Sequence, residues 1–210
     1  MFNDTNLVFE TEMPLAVLPP PPKNERLYTL AEYLAREENS RELHEYYNGN
    51  IIKLPMARGP HNIITANISM ELGIIAKMTN YKFLVMLGQQ LVYLPQLNFG
   101  LYPDSLAVVD TPQYFDQNEV LLTNPILIVE VLSKGTKKYD RHEKFDEYRT
   151  LDTFKEYVLI DQKRCNIEIR YREKPDTWQY TTVTDINSSI FLKSIDCSIA
   201  VADIYANVKI

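Results

Sequence analysis

The sequence predicts a mixed α/β fold, an α+β arrangement in which a central sheet is flanked by helices. Three patterns carry that expectation. Residues 126–132, Ile-Leu-Ile-Val-Glu-Val-Leu, form a continuous aliphatic run with the length and branching of a buried central strand. A charged stretch with helical spacing, residues 137–149, follows it after a short loop. Strand-like segments recur on both sides of this pair, and no internal repeat organises the chain.

The elements follow in order. Residues 1–26 hold five of the 12 prolines, four of them consecutive at positions 19–22. They read as a proline-rich N-terminal tail with polyproline II character, and the folded domain is expected over residues 27–210. A helix starts at Thr29 as N-cap, with Glu32 three residues on to close a capping box and Leu30, Tyr33 and Leu34 as its apolar face. Residues 43–54 alternate around Asn48-Gly49, the signature of a tight hairpin. Pro60 suits a helix start, and Ile63, Ile64, Ile68, Met70 and Leu72 carry a helical period to about Lys77. Residues 81–94 read as one strand bent at Gly88, and residues 101–109 as another that carries Asp104. After the helix at 137–149, with Phe145 and Tyr148 inward, come strands at 155–160, 166–171 and 178–183 and a short helix at 201–205.

Composition narrows the function classes. With 210 residues, 45% hydrophobic and 24% charged, the chain can build its own core and is not disordered, collagenous or coiled-coil. Six glycines, with no P-loop, dinucleotide fingerprint, HExxH or GxSxG, argue against a nucleotide cofactor and against common hydrolase motifs. The formal charge is 22 − 28 = −6, which excludes a uniformly basic nucleic-acid binder. Local sign varies: residues 61–132 hold two Lys/Arg against six Asp/Glu, and residues 133–149 hold six against four. Cys165 and Cys197 have no metal-type spacing and read as free thiols of a reducing compartment. No secretory signal and no apolar run near ~18 residues is present, so the expectation is a cytoplasmic protein without membrane association.

Glu130 is the most informative residue, because a carboxylate inside an apolar strand must be paired, protonated or bound to a cation. It is either half of a structural ion pair or a site carboxylate. Asp104, after Pro103, is either a turn residue or a second site carboxylate. Two carboxylates on adjacent strands without a strand cation would repel, and a hard divalent cation would relieve that. Lys137, Arg141 and Lys144, at i, i+4 and i+7, make a cationic stripe that the loop at 133–136 folds back towards the strand. His61 opens the second helix and either caps it, contacts a phosphate or orients a carboxylate.

The chain then resembles a known family. Residues 28–34 (Tyr-Thr-Leu-Ala-Glu-Tyr-Leu), 44–49 (His-Glu-Tyr-Tyr-Asn-Gly) and His61, then Tyr102-Pro103-Asp104, carry the likeness. It continues through Asn124-Pro125, residues 128–133, residues 139–145 and residues 157–161. This ordered set, over about residues 27–180, is similar to the Uma family of bacterial putative restriction endonucleases. The resemblance implies a restriction-endonuclease-like core of the PD-(D/E)XK nuclease superfamily. That superfamily usually places its lysine two residues after the strand acid, where strand period two puts both on one face. Here that position is Leu132. The resemblance implies that Lys144 takes the role, and that Glu45 is the additional acid some members bring to the metal.

The expected function is therefore a Mg²⁺-dependent (or Mn²⁺-dependent) endonuclease that hydrolyses DNA phosphodiester bonds. Asp104, Glu130 and Glu45 are its expected metal residues, Lys144 its catalytic cation and His61 an accessory. Lys137, Arg141, Arg170 and Arg172 are the expected DNA contacts, and a homodimer would double that face. Two alternatives use the same residues: a non-catalytic nuclease-fold module with Glu130 paired to Lys144, and a metal-dependent hydrolase of another phosphate ester.

Overall fold

The structure is a computed structural model that describes residues 8–11, 26–133 and 135–210. The polyproline expectation for positions 19–22 lies outside the described residues. Within the expected tail, β1 (Val8–Thr11) is an antiparallel strand on a sheet edge. Helix α1 (Leu30–Glu38) begins as its sequence predicts. The Thr29 side chain accepts from Glu32 N, and the Glu32 side chain accepts from Thr29 N. Strands β2 (His44–Tyr47) and β3 (Asn50–Lys53) form the hairpin, with Asn48 and Gly49 both at positive φ, as a two-residue turn of this twist requires. Helix α2 (Gly59–Met78) buries Ile64, Ile68, Leu72 and Ala76.

The next stretch departs from expectation. Residues 81–94 are two strands in two different sheets, β4 (Phe83–Leu87) and β5 (Leu91–Leu94), and not one bent strand. At the bend, Gly88 lies against the backbone of Pro103 and Asp104. Residues 101–109 likewise split into β6 (Phe99–Leu101) and β7 (Ser105–Val109). Pro103 has no N–H for a ladder, and Tyr102 gives its N–H to the Glu45 carboxylate instead. Asp104 is thereby left at the mouth of β7.

A short β8 (Leu121–Leu122) leads to β9 (Leu127–Leu132), the fully buried central strand. The single helix expected at 137–149 is two, α3 (Lys137–Arg141) and α4 (Glu143–Tyr148), broken at His142, whose φ −122° and ψ −79° leave helical space. The meander follows as β10 (Glu156–Asp161), β11 (Ile167–Lys174) and β12 (Thr177–Val183). A hairpin that the sequence reading did not pick out, β13 (Ser189–Leu192) and β14 (Cys197–Ala200), precedes the terminal helix α5 (Val201–Ile204).

Seven strands make the main sheet in the order β1-β12-β11-β10-β9-β7-β4, mixed because β9 and β10 run parallel. One face carries α2, α5 and the β13–β14 hairpin over Val129, Val131, Val158 and Ile160. The other carries α4 and a five-stranded sheet, β3-β2-β6-β5-β8, over Ile128, Leu132 and Leu159. Alternation along β9 therefore points Glu130 into the second layer, between the two sheets and α4.

Candidate active site

β9 pairs with β7 through Ser105↔Val129, and one further step in that register sets Asp104 opposite Glu130. The two carboxylates anticipated from sequence are thus cross-strand neighbours. Asp104 Oδ2 accepts the Val131 N–H at 2.6 Å and lies 3.2 Å from His61 Nε2. His61 sits in the first turn of α2, a turn with Pro60 and no acidic residue, so the positive end of a 20-residue helix abuts Asp104. Burial disfavours the His61 cation, but the hydrogen bond and charge of Asp104 outweigh it and hold the imidazole pKa above its ordinary value.

Lys144 reaches the same place from α4. Its neighbour Phe145 is locked by stacking on Tyr157 at 5.5 Å and edge-on to Trp178 at 4.8 Å, which fixes the helix. Lys144 Nζ is 2.9 Å from Glu130 Oε1 and 3.3 Å from Glu45 Oε1, and it donates to the Tyr102 carbonyl at 3.2 Å. Leu132, at the position where the superfamily's lysine would stand, is sealed among apolar side chains. Burial alone would favour a neutral amine, yet Glu130 and Glu45 keep Lys144 an ammonium. Burial pushes the Glu130 carboxyl well up, against the pull of Lys144, and Asp104 adds to the push. Asp140, also buried, is pushed up to about 6 chiefly by desolvation. Glu45, Glu130 and Asp140 act on one ammonium, Asp104 adds its charge to Glu130 and Asp140, and that surplus of negative charge is what a cation would relieve.

The donor set suits a hard cation. Asp104 Oδ2 and Glu130 Oε1 carry the hydrogen bonds described above, while Asp104 Oδ1 and Glu130 Oε2 take none from any described residue. Among the described residues no group of three or more His, Cys, Asp or Glu side chains is arranged to hold a metal ion. Two carboxylates completed by water and substrate oxygens are a common magnesium shell. Glu45 is differently engaged: Oε1 faces Lys144 and the Tyr102 N–H, and Oε2 accepts the Tyr47 hydroxyl at 2.6 Å.

The expected DNA contacts are corrected in part. Arg170 and Arg172 are each only 7% exposed and cannot face a duplex as they stand. Arg170 is stacked on Phe145 and Tyr180, and Arg172 donates to the carbonyls of Leu151 and Arg149 over the Trp178 ring. Arg141 forks onto Glu168, and Lys137, half exposed, pairs with Asp161. The break at His142 dissolves the expected stripe, because Lys144 turns inward. A chain of hydroxyls that the sequence reading did not pick out lies behind the site. Tyr47 OH meets Tyr139 OH at 2.6 Å, and Tyr139 donates to Glu147 at 2.7 Å. Tyr47 stands two residues after Glu45 on one strand face, a spacing that could have revealed the pair.

The model of a family described as Uma2, putative restriction endonuclease, matches residues 30–201. An uncharacterized protein of Synechocystis sp., sll1609, is 32% identical over 165 residues, which cover 79% of this chain and 92% of that protein. A second from the same organism, slr1290, is 28% identical over 176 residues, with 83% and 89% covered. Among solved structures, a putative nuclease belonging to DUF820 from Anabaena variabilis has a TM-score of 0.69 at 16% identity, covering 85% of this chain and 98% of that one, a likeness of fold.

Proposed function

The chain belongs to the Uma2 family of putative restriction endonucleases, and we propose that it is a Mg²⁺-dependent (or Mn²⁺-dependent) endonuclease cleaving DNA phosphodiester bonds. The observation that carries this reading is the pairing of Asp104 with Glu130 at the end of the central strands, each with one oxygen free. These two side chains would hold the metal, which when bound supplies Lewis-acid polarisation of the phosphate and a more acidic water. His61 and the Val131 N–H fix Asp104 by one oxygen and leave the other for a ligand. Lys144 works as an ammonium, stabilising negative charge that develops on the phosphate, and not as a base. Glu45, held by Tyr47 and the Tyr102 N–H, keeps Lys144 in place. The N-terminal turn of α2 adds a favourable end for phosphate.

Plasmid DNA with Mg²⁺, Mn²⁺ or EDTA tests the proposal. Metal-dependent nicking is expected, with a loss of about 100-fold or more in Asp104→Ala and Glu130→Ala. Full metal-dependent cleavage by either variant would overturn the site. One observation favours the second reading, a non-catalytic module: Lys144 already satisfies Glu130 and Glu45 as a closed ionic group. That reading expects no rise in melting temperature with Mg²⁺, whereas a metal site expects one by linkage. Hydrolysis of small phosphate esters without DNA cleavage would identify the third. A second copy of the chain, docked on α2, completes the proposal.

A further inference from the structure

Asp140 is a fourth carboxylate at the site, with no part in the scheme of Asp104, Glu130, Glu45 and Lys144. It lies on α3, only 4% exposed, and none of the ion pairs among the described residues includes it. The Lys144 ammonium feels its charge but stands 2.9 Å and 3.3 Å from two other acids, Glu130 and Glu45. The Asp140 carboxylate accepts from the Thr136 hydroxyl, a neutral donor one helical turn earlier. Two anchors hold it there. Ser133, the residue after β9, accepts the N–H groups of Gly135 and Thr136 at 3.2 Å and meets the Thr136 hydroxyl at 3.0 Å. With the Thr136 proton given to Asp140, the Ser133 hydroxyl is the donor in that contact. From β10, the buried Tyr157 hydroxyl donates to the Asp140 carbonyl at 3.0 Å, just before α3 breaks at His142. The end of β9, its loop and α3 thus hold Asp140 beside the carboxylate pair. Its charge acts on Glu130 and on His61, and the charge of Asp104 acts on it.

A buried carboxylate with a neutral donor and no cation of its own is costly, and a fold that anchors one from two sides keeps it for a purpose. We infer that Asp140 is the outer acid of the metal site: its carboxylate accepts hydrogen bonds from water bound to a divalent cation held at Asp104 and Glu130. The contact runs through water because, among the described residues, no three acidic, His or Cys side chains converge on one point to ligate an ion directly. Outer acids of this kind orient bound water and add charge that favours the cation. Asp140 is therefore a positioning residue: it fixes water and does not touch the phosphate. It also accounts for the charge, since four carboxylates otherwise share the Lys144 ammonium and the His61 imidazole. Because this rests on the metal-dependent reading of the site, the test has to separate the two.

The full-length protein, stripped of metal, is titrated with Mn²⁺ by calorimetry in the absence of DNA, and its melting temperature is read separately in EDTA. Parent, Asp104→Ala, Asp140→Asn and Tyr157→Phe are compared. Asp140→Asn keeps the side chain's shape and its acceptor for Thr136, and removes charge alone. Saturable Mn²⁺ binding by the parent is expected, lost in Asp104→Ala and weakened about tenfold or more in Asp140→Asn. The melting temperature of Asp140→Asn in EDTA should equal or exceed the parent's, because a buried charge without its own cation has gone. Tyr157→Phe loosens α3 and leaves the carboxylate in place, so it should lower the melting temperature and keep the parent's Mn²⁺ affinity. An Asp140→Asn protein that binds Mn²⁺ like the parent overturns the role of Asp140 and leaves the site at Asp104 and Glu130 standing. An equal loss of affinity in Tyr157→Phe also overturns it, since the packing of α3 and not the charge would then be responsible. A parent that binds no Mn²⁺, or an Asp104→Ala protein that binds it fully, overturns it together with the metal-dependent reading.

Discussion

Lys144 is one ammonium set among carboxylates and only 4% exposed, and that determines what its loss would do. Removing it leaves Glu130 and Glu45 buried without their counter-charge, so Lys144→Ala should cost about 3–5 kcal/mol in urea unfolding. A cost below about 1 kcal/mol would show that the group is not ionic. Behind it, the run from Glu45 through Tyr47 and Tyr139 to Glu147 has three short O···O contacts. Glu147 ends this run: burial, with the charge of Glu45, pushes its carboxyl up to about 8 against the Tyr139 hydrogen bond. Its ordinary value is 4.5, so between about pH 4.5 and 8 the folded chain binds a proton that the unfolded chain has lost. Stability from this group is complete at the acid end of that window and falls as pH rises through it. Urea midpoints at pH 5.5 and 8.5 should fall more steeply with pH in the parent than in Glu147→Gln. Parallel pH profiles would remove the proton from this chain.

At the scale of elements, the site depends on where strands stop. Gly88 ends the β4 turn against the connector that carries Asp104, and a Cβ there would lie 3.3 Å from the carbonyls of both Pro103 and Asp104. Those are backbone atoms, which yield only by moving the connector. Gly88→Ala should therefore reduce metal-dependent cleavage about tenfold or more while shifting the melting temperature by only a few degrees, since proximity errors are felt in rate first. Undiminished cleavage would show that Asp104 tolerates the shift. The same stops explain what the sequence could convey. The capping box at Thr29, the Asn48-Gly49 turn and the aliphatic run to Leu132 are local signals, and each became the element expected. The breaks at Gly88, at Tyr102 to Asp104 and at His142 are set by contacts with distant chain: Glu45 for the Tyr102 N–H, and the aromatic cluster around Phe145 for α4. Asp104, Glu130, Lys144 and Glu45 were legible as residue types in order, and the structure brings all four together with His61. Arg170 and Arg172 were misread because alternation in β11 does not reveal that aromatic rings cover both guanidinium groups.

At the scale of the whole molecule, α2 is apolar on both sides. Ile64, Ile68 and Leu72 face the sheet, while Ile63, Met70, Ile74 and Met78 face outward, Met70 at 55% and Met78 at 80% exposure. A helix hydrophobic all round is normally covered on both faces. Alongside it, β4 is an edge strand of sequence Phe-Leu-Val-Met-Leu, with neither charge nor proline and with Leu84 and Leu87 exposed. Edges of that kind are usually paired or covered. A second copy fits, because both a strand edge and a helix stripe can pair with themselves about a two-fold axis. It also fits the charge: two chains of −6 repel least through a contact without net charge, and the outward stripe from Ile63 to Met78 is bordered by one acid and one base, Glu71 and Lys77. A helix about 30 Å long with the adjoining strand is of the scale that a standard interface of about 800 Å² per partner requires. Light scattering should accordingly give twice 24.5 kDa at micromolar concentration. Met70→Lys with Ile74→Lys should return the mass to one chain without altering the near-ultraviolet circular dichroism. A parent protein that stays monomeric at tens of micromolar would sink this interface, and the double DNA-facing surface expected of a dimer would go with it.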